Sequence, residues 1–417
     1  MSRYYIDGGI PLKGENIVKG CKNSVLPMMA AALIHKGVSI IENCPDISDV
    51  RDMSDILRSL GCVVNYDRGT LTIDASYVDG DYLSGEIVKK VRSSVLVMGA
   101  MLARKGCIRM DYPGGCRIGK RPIDYHIDVL RSLGANITEK DDCIEAECQA
   151  LKGAVIYLPF PSVGATENAL IAAAAAQGTT ILRGTANEPE IHDLCVMLRK
   201  MGADISNFRP GKIIVRGKDS FLSARHRLMS DRIVAGTYAI MAAACGGSIR
   251  LQMDNVYAMT SLSKVLKQMG CIVNTGNDYY EVTKKARLRA VERIVTEPFP
   301  GFPTDLQSQI MVALCLADGK STIEEKIFEN RFQVVDELVK QGADISVFGT
   351  RAVINGCKRL YGKETTAKEL RGGAALITAA LAAYGQSIVT DENDYIRRGY
   401  ENIENDVKGF GGRIYRD

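Results

Sequence analysis

The chain has 417 residues, of which 46% are hydrophobic and 24% are charged, and its formal net charge is +4. This composition is typical of a globular protein and excludes a disordered chain or one embedded in a membrane. The length exceeds what one hydrophobic core ordinarily holds, and so small a net charge does not support a protein that coats nucleic acid. We therefore expect two or three globular domains.

A repeat of about 70 residues runs along the chain from end to end. Each copy contains an apolar helix, a Gly and a β-type run, followed by an amphipathic helix that ends at a second Gly before another β-type run. The second Gly falls at Gly61, Gly134, Gly202, Gly270, Gly342 and Gly411. Gly at this position is typical of a left-handed C-terminal helix cap. The fixed period predicts one supersecondary unit copied six times.

The two helices of each copy differ in kind. The first helix is apolar on nearly all sides and must therefore be buried on all sides. These buried helices are predicted at 25–34, 94–103, 169–176, 233–244, 310–317 and 374–383. The second helix has one apolar stripe, as in the last copy, where Ile396, Tyr400, Ile403, Val407 and Phe410 recur at steps of 3 and 4. The pattern predicts an α/β protein of two domains with three copies each, in which sheets and amphipathic helices surround the buried helices, and a short hinge near 217–231.

Two short motifs precede buried helices. In KGCKNSVLPMMAAAL, Lys22 and Asn23 stand just before the first one; taken alone, Lys22 is a solvated cation and Asn23 or Ser24 is a helix cap. In PSVGATEN, at 161–168, small residues open the third buried helix, where free N–H groups could hold a phosphate or simply form a capped turn.

The second copy is lengthened by DYPGGCRIGKRPIDYHI, at 111–127. Extra residues in one copy of a repeat usually form a functional loop. Cys116 lies among Arg117, Lys120 and Arg121, and such cations stabilise a thiolate. The simpler interpretation is a solvated glycine loop with an incidental cysteine.

Later in the chain, FPTDLQSQI places Asp305 at the start of the fifth buried helix, where a helix cap is the plain expectation. Arginines also recur near helix starts, at Arg92, Arg331, Arg371, Arg397 and Arg398. Singly they are surface charges; together with Lys22 and Arg121 they could form an anion-binding cleft.

Cysteine and histidine usage predicts neither disulfides nor a metal site. The twelve cysteines include no CxxC pair, and the four histidines have no partner at ligand spacing. Most of the cysteines fall in apolar runs, where a reduced thiol packs as a small side chain. The N-terminal MSRYYIDGGIPLKG contains no apolar signal segment. We expect a reduced, cytoplasmic protein without metal or cofactor.

Taken together, KGCKNSVLPMMAAAL, PGGCRIGKRPIDYHI, PSVGATEN, PFPGFPTDLQSQ, FENRF and RRGYENIE resemble the UDP-N-acetylglucosamine 1-carboxyvinyltransferase family of enolpyruvyl transferases. The resemblance runs from Lys22 to Arg398 in the family's order. Shikimate-pathway enolpyruvyl transferases share the six-copy fold, but they have Lys-Ser at Lys22-Asn23 and lack the Gly-Gly-Cys loop. The resemblance implies two inside-out α/β barrel domains, residues 22–229 and residues 1–21 with 230–417, and an active site in the cleft between them.

The resemblance also implies an activity. The family transfers the enolpyruvyl group of phosphoenolpyruvate to the 3′-hydroxyl of UDP-N-acetylglucosamine and releases phosphate, by addition and elimination, in the first committed step of peptidoglycan synthesis. Asp305 matches the base that accepts the sugar hydroxyl proton, and Cys116 matches the acid proposed to protonate the methylene carbon. Whether Cys116 protonates carbon or mainly assists loop closure and product release stays open.

The remaining site residues follow from the same match. Lys22 and Arg398, also expected to be catalytic, hold phosphoenolpyruvate together with Arg121. The full set of expected substrate-binding residues is Lys22, Asn23, Arg92, Arg121, Pro122, Ile123, Asp124, Tyr125, Ser162, Val163, Gly164, Asp305, Ile327, Arg331, Arg371 and Arg398. The chain departs from some relatives at Phe160, where others have Lys near the uracil, and at Glu369, where others have Asp.

Other interpretations make different predictions. A shikimate-pathway transferase is one alternative. A non-catalytic repeat scaffold would have an even surface without a basic, cysteine-bearing loop. An RNA 3′-terminal phosphate cyclase uses similar copies but would have four of them and a nucleotide-accepting histidine. The expected partners are the two small-molecule substrates, with neither nucleic acid nor membrane, in a monomer or weak homo-oligomer.

Overall fold

The computed structural model describes residues 1–113 and 123–417. The six glycines at the repeat positions all end helices in the left-handed conformation, with φ between 80° and 103°. The N–H groups of Gly61 and Cys62 donate back to the carbonyls of Arg58 and Leu57, at 3.0 and 3.1 Å. The same pair of hydrogen bonds recurs at the other five glycines, which makes each one a Schellman cap. The predicted left-handed caps are confirmed.

The described residues form thirteen α-helices. They are α1 (Lys22–Ala31), α2 (Ser48–Ser59), α3 (Gly85–Val88), α4 (Leu96–Lys105), α5 (Asp124–Ser132), α6 (Val163–Ala174), α7 (Pro189–Lys200), α8 (Arg232–Cys245), α9 (Thr260–Gln268), α10 (Gln307–Cys315), α11 (Val335–Lys340), α12 (Leu370–Ala382) and α13 (Ile403–Gly409). Short 3-10 turns lie at Ala32–Ile34, Arg92–Val95, Val256–Met259, Thr304–Leu306 and Ile396–Arg398.

The strands, over the same ranges, number twenty-four. They are β1 (Ser2–Asp7), β2 (Leu12–Ile17), β3 (Val38–Glu42), β4 (Val63–Asp67), β5 (Thr70–Asp74), β6 (Tyr82–Leu83), β7 (Cys107–Asp111), β8 (Asn136–Glu139), β9 (Cys143–Glu147), β10 (Val155–Tyr157), β11 (Thr179–Arg183), β12 (Asp204–Arg209), β13 (Lys212–Arg216), β14 (Arg225–Arg227), β15 (Gly247–Gln252), β16 (Ile272–Thr275), β17 (Tyr279–Lys284), β18 (Arg293–Val295), β19 (Lys320–Glu324), β20 (Asp344–Phe348), β21 (Arg351–Asn355), β22 (Glu364–Thr366), β23 (Gln386–Asp391) and β24 (Arg413–Arg416).

These strands form six four-stranded sheets within the described ranges, and each sheet has one parallel and two antiparallel pairings. A typical sheet, β10-β11-β13-β12, takes all its strands from one copy of the repeat. Two edge strands are exchanged between copies. β2, which precedes the first buried helix, pairs with β15 of the fourth copy, and β14, which precedes the fourth buried helix, pairs with β3 of the first. The N-terminal β1 completes the last sheet, between β23 and β24.

The described residues divide into two units, one of Met1–Val18 with Ser230–Asp417 and the other of the described residues between 19 and 229. Among the described residues, each unit has its own hydrophobic core. In the unit of residues 19–229, α1, α4 and α6 pack against one another; in the other unit, α8, α10 and α12 do so. The predicted burial of the first helix of each copy is confirmed, since nearly every residue of these six helices is shielded from solvent. The predicted α/β repeat architecture is therefore confirmed.

One predicted helix differs. The apolar stripe of the last copy predicts a continuous amphipathic helix from Ile396 to Phe410, but the structure has a 3-10 turn, Ile396–Arg398, and then α13 from Ile403. Backbone packing explains the interruption. A Cβ on Gly399 would lie only 3.0 Å from a methyl group of Leu370, so the chain here lies directly against the start of α12.

Candidate active site

Asp305 lies in the 3-10 turn that leads into α10, and two arginines hold its carboxylate. Arg331 Nη2 donates to Oδ1 at 2.6 Å, and Arg371 Nη2 donates to Oδ2 at 3.0 Å. The two arginine side chains are only 2% and 4% exposed, whereas the Asp305 side chain is 27% exposed. The N-cap position of α10 is Leu306, so the interpretation of Asp305 as a helix cap is wrong.

Glu325 fixes the loops on either side of this cluster, and sequence reasoning missed it. Its buried carboxylate accepts hydrogen bonds from the Thr304 hydroxyl at 2.9 Å and from the backbone N–H of Ile327 at 2.8 Å. One side chain thus connects the turn of Asp305 to the loop that carries Ile327. The signal in the sequence is weak, because a Glu after a strand is ordinarily a surface residue.

Glu369 caps the helix that carries Arg371. Its carboxylate accepts hydrogen bonds from the backbone N–H groups of Arg371 and Gly372, which fixes the first turn of α12. Arg398 lies in the 3-10 turn Ile396–Arg398, directly before Gly399. A Cβ built on Gly399 would lie 3.4 Å from Nη1 of Arg371, so the backbone after Arg398 passes close to Arg371. The longer carboxylate of Glu369 is therefore used to bind backbone amides.

The unit of residues 19–229 has a largely shielded cation at the start of α1. Lys22 Nζ lies 2.8 Å from the Asp49 carboxylate, and these side chains are 11% and 3% exposed. The N-cap of α1 is Cys21, and no side chain caps the helix, so the interpretations of Lys22 as solvated and of Asn23 or Ser24 as a cap are wrong. Asp49, in the first turn of α2, is a second residue that sequence reasoning missed.

Three further predicted residues, Arg92, Ile123 and Asp124, line one cavity of about 300 Å³. Arg131 and Glu139 are also in its wall. Tyr125, beside it on α5, packs partly against the core. Cys116, Arg121 and Pro122 lie outside the described residues.

The start of α6 carries Ser162, Val163 and Gly164. The Ser162 hydroxyl accepts a hydrogen bond from the N–H of Ala165 at 3.3 Å, so the predicted capped turn is confirmed. A Cβ on Gly164 would lie 3.0 Å from the His126 ring, which explains why this position has no side chain.

The buried side-chain amide of Asn168 connects α6 to the neighbouring helices. The Asn168 side chain accepts from the N–H of Gly99 at 3.0 Å and donates to the carbonyl of Val95 at 3.2 Å, both in the second copy of the repeat. Its amide nitrogen also lies 3.2 Å from His126 Nδ1. Asn168 thereby ties α6 to both α4 and α5.

Glu167, the residue before Asn168, is a buried acid whose pKa is raised. Glu167 on α6 is 5% exposed. Burial, followed by repulsion from Glu190 and Glu188, raises the pKa of its carboxyl well above the usual range. Glu167 is therefore neutral over a range of pH in which an exposed Glu is ionised.

Within residues 1–113 and 123–417, no group of three His, Cys, Asp or Glu side chains could hold a metal ion. No helix in those ranges is long and apolar enough to cross a membrane. The unit that contains Asp305 offers one partly exposed carboxylate between two buried guanidinium groups. The unit of residues 19–229 offers a largely shielded lysine and a helix start with small residues. This set is suited to anionic substrates and to proton transfer.

A model of the EPSP synthase (3-phosphoshikimate 1-carboxyvinyltransferase) family matches residues 6–407. The chain is 42% identical over 416 residues to UDP-N-acetylglucosamine 1-carboxyvinyltransferase 2 of Caldanaerobacter subterraneus subsp. tengcongensis, and the match covers all of both chains. It is also 42% identical to UDP-N-acetylglucosamine 1-carboxyvinyltransferase of Dinoroseobacter shibae, over 100% of this chain and 99% of that one.

Solved structures agree in fold. The enolpyruvyl transferase NikO from Streptomyces tendae superposes with a TM-score of 0.90 at 26% identity, covering 100% of this chain and 98% of that one. EPSP synthase from Acinetobacter baumannii gives a TM-score of 0.77 at 20% identity, over 100% of both chains. The chain therefore belongs to the enolpyruvyl transferase family, among the UDP-N-acetylglucosamine 1-carboxyvinyltransferases.

Proposed function

We propose that this protein transfers the enolpyruvyl group of phosphoenolpyruvate to the 3′-hydroxyl of UDP-N-acetylglucosamine and releases phosphate. Identity of 42% over the full length of relatives named for this activity supports the substrates. The observation that carries the chemistry is the Asp305 carboxylate between two buried arginines. The proposed domains of the enzyme are residues 22–229 and residues 1–21 with 230–417.

Asp305 is the proposed base. The sugar hydroxyl must lose its proton as its oxygen attacks the enol carbon, and a carboxylate can accept that proton. Two neighbouring cations favour the ionised form of Asp305, so the group is ready to accept a proton at neutral pH. Its partial exposure, unlike that of the arginines, leaves one face open to a substrate.

Arg331 and Arg371 are proposed to bind substrate anions. Each is nearly fully buried, yet in the described part of the chain Arg331 Nε and Arg371 Nη1 have no hydrogen-bond partner. Buried guanidinium N–H groups without acceptors are costly, and a carboxylate or phosphate oxygen would satisfy them. The two arginines carry one more positive charge than Asp305 neutralises.

The other proposed site residues match the polyanionic substrates. Lys22, with Arg92, Arg121 and Arg398, would bind phosphoenolpyruvate, and Cys116 would act as the acid or as part of a closing loop. Asn23, Pro122, Ile123, Asp124, Tyr125, Ser162, Val163, Gly164 and Ile327 are proposed to contact the UDP-sugar. We place the enzyme in the cytoplasm, where both substrates would reach it.

Phosphate release tests the proposal. The protein should release phosphate only when phosphoenolpyruvate and UDP-N-acetylglucosamine are both present, and the amount released should equal the amount of nucleotide-sugar converted. Each substrate alone serves as the control. Release with phosphoenolpyruvate alone at the same rate would show a phosphatase, and no release with both would refute the proposed transfer.

A further inference from the structure

A buried polar network around Tyr400 contacts Arg371, and the active-site description leaves it unused. The Arg371 guanidinium lies over the ring of Tyr400, with Cζ 5.9 Å from the ring centroid. The Tyr400 ring is therefore within the distance at which a cation is attracted to an aromatic face. Tyr400 is 1% exposed and Arg371 is 4% exposed, so this contact is shielded from water.

Two core helices hold the Tyr400 hydroxyl. Thr237 of α8 lies 2.7 Å from it, oxygen to oxygen, and Gln309 Nε2 of α10 lies 3.4 Å from it. Gln309 Nε2 also donates to Thr237 Oγ1 at 3.2 Å, and both residues are fully buried. Three buried polar side chains thus meet beside the hydrophobic core of this unit.

The donors in this network can be assigned by counting protons. Thr237 has one hydroxyl proton, and it donates that proton to the carbonyl of Ile233 at 2.9 Å. In the short contact with Thr237, Tyr400 must therefore be the donor. Tyr400 then accepts from Gln309, so α8 and α10 hold Tyr400 by its hydroxyl while its ring faces the Arg371 guanidinium.

This orientation matters because, in the described part of the chain, the Arg371 guanidinium donates to the Asp305 carboxylate and lies over the Tyr400 ring. Burial alone would lower the pKa of Arg371, but the Asp305 carboxylate, then Tyr400 and Asp231, hold that pKa above its usual range. The guanidinium is permanently charged, so its position sets the field at Asp305.

We propose that Tyr400, oriented by Thr237 and Gln309, is a positioning residue that holds Arg371 against Asp305 and thereby sets the reactivity of the Asp305 carboxylate. The inference rests on the proposed function, because it assigns Tyr400 to the same proton-transfer site. A packing role alone would require only the ring, and phenylalanine would supply that. The hydroxyl and its two partners are what the proposal explains.

The test is a double-mutant cycle of Tyr400→Phe and Asp305→Asn, read by steady-state phosphate release. Tyr400→Phe should lower kcat about tenfold, the factor that corresponds to one ordinary hydrogen bond. In the Asp305→Asn background the same change should cost less than about twofold, because the residue it acts through is already disabled. A purely structural tyrosine would give the same factor in both backgrounds, and that result would overturn the proposal.

Tyr280→Phe is the matched control. Tyr280 is a fully buried tyrosine of the same unit, and its hydroxyl lies 2.9 Å from Ser263 Oγ. Its loss should lower the thermal midpoint as Tyr400→Phe does but leave kcat within about twofold. If Tyr280→Phe lowers kcat as much as Tyr400→Phe, the effect is general loosening and the proposal is wrong. If the wild-type protein shows no transfer activity, the proposed function and the inference are both wrong. If the wild-type protein is active but the effects of Tyr400→Phe and Asp305→Asn on kcat are additive, only the inference is wrong.

Discussion

At the scale of single residues, the Asp305 cluster is the part of the site whose geometry most constrains the chemistry. Asp305→Asn removes the proton acceptor but keeps a side chain that can still accept from one arginine. We expect kcat to fall by about 100-fold or more, within the range for loss of a general base. Phosphate release measures the loss, and circular dichroism checks that the fold persists.

Asp394→Asn is the control for that variant. Asp394 also pairs with an arginine, Arg416 at 3.4 Å, but it is half exposed and its partners Ser2 and Arg416 are near the two ends of the chain. Turnover should not change when that pair is lost, because exposed ion pairs contribute little. Near-normal activity in Asp305→Asn would instead reduce Asp305 to a structural ion-pair partner.

Cys116 should be the reactive thiol of the chain. It stands among cations in the sequence, which favours its thiolate, whereas burial raises the pKa of Cys62, Cys195 and Cys245 to about 12. Fosfomycin, a small phosphonate epoxide, should place its phosphonate on the cations and be opened by attack of Cys116 sulfur on a ring carbon, with a proton taken up by the released oxygen. Peptide mass mapping should find the label there, and faster labelling with UDP-N-acetylglucosamine present.

Cys116→Asp is the matched variant. It should lose fosfomycin sensitivity and keep some transfer activity, because a carboxyl can also carry a proton. Label on another cysteine, or inhibition that persists in Cys116→Asp, would contradict the proposed role.

Glu167 should make the stability of its unit depend on pH. The pKa of its carboxyl is raised in the folded protein, so its contribution to stability is full below the ordinary Glu pKa and is lost as pH rises through the folded pKa. Glu167→Gln removes this loss. The thermal midpoint of the variant minus that of the wild-type protein should therefore increase as the pH is raised from about 5 to about 8. A difference that stays constant over this range would show that Glu167 does not titrate with folding.

At the scale of elements, the helix-ending glycines allow a paired test. Gly61 and Gly134 occupy the same Schellman position, with φ of 103° and 93°. A Cβ on Gly134 meets nothing within 4 Å, whereas one on Gly61 would lie 3.1 Å from the backbone oxygen of Tyr77 and 3.3 Å from the backbone nitrogen of Asp79. Gly134→Ala should lower the free energy of unfolding by about 1 kcal/mol from backbone strain alone. Gly61→Ala should cost about 1–2 kcal/mol more, and equal losses in denaturant titrations would contradict this account of the two sites.

Helices and strands could be predicted from the sequence better than other features, because each one depends on residues that are close together in sequence. The buried helices and their glycine caps follow from local composition and backbone sterics. The break at Gly399 could not be predicted, since it depends on contact with Leu370 from a different part of the chain. The exchange of β2 and β14 between copies was equally hidden, because strand pairing over such separations leaves no local pattern.

At the scale of the whole molecule, motifs located the site residues, while contacts between residues far apart in sequence gave them their partners. Asp305, Arg331 and Arg371 were each singled out from sequence, but the two ion pairs join residues 26 and 66 positions apart. Asp49 and Glu325 were missed because acidic residues after a turn or a strand are ordinarily exposed. Their roles emerge only once burial and hydrogen bonding are known.

The central claim about the whole molecule is that UDP-N-acetylglucosamine is the substrate that receives the enolpyruvyl group. A competition reaction tests it most directly: phosphoenolpyruvate is mixed with equal amounts of UDP-N-acetylglucosamine and shikimate 3-phosphate, and the products are resolved by mass spectrometry. We predict that the enolpyruvyl group appears on the nucleotide sugar alone, in an amount equal to the phosphate released. Enolpyruvyl shikimate 3-phosphate as the main product, or no enolpyruvyl product at all, would contradict the account.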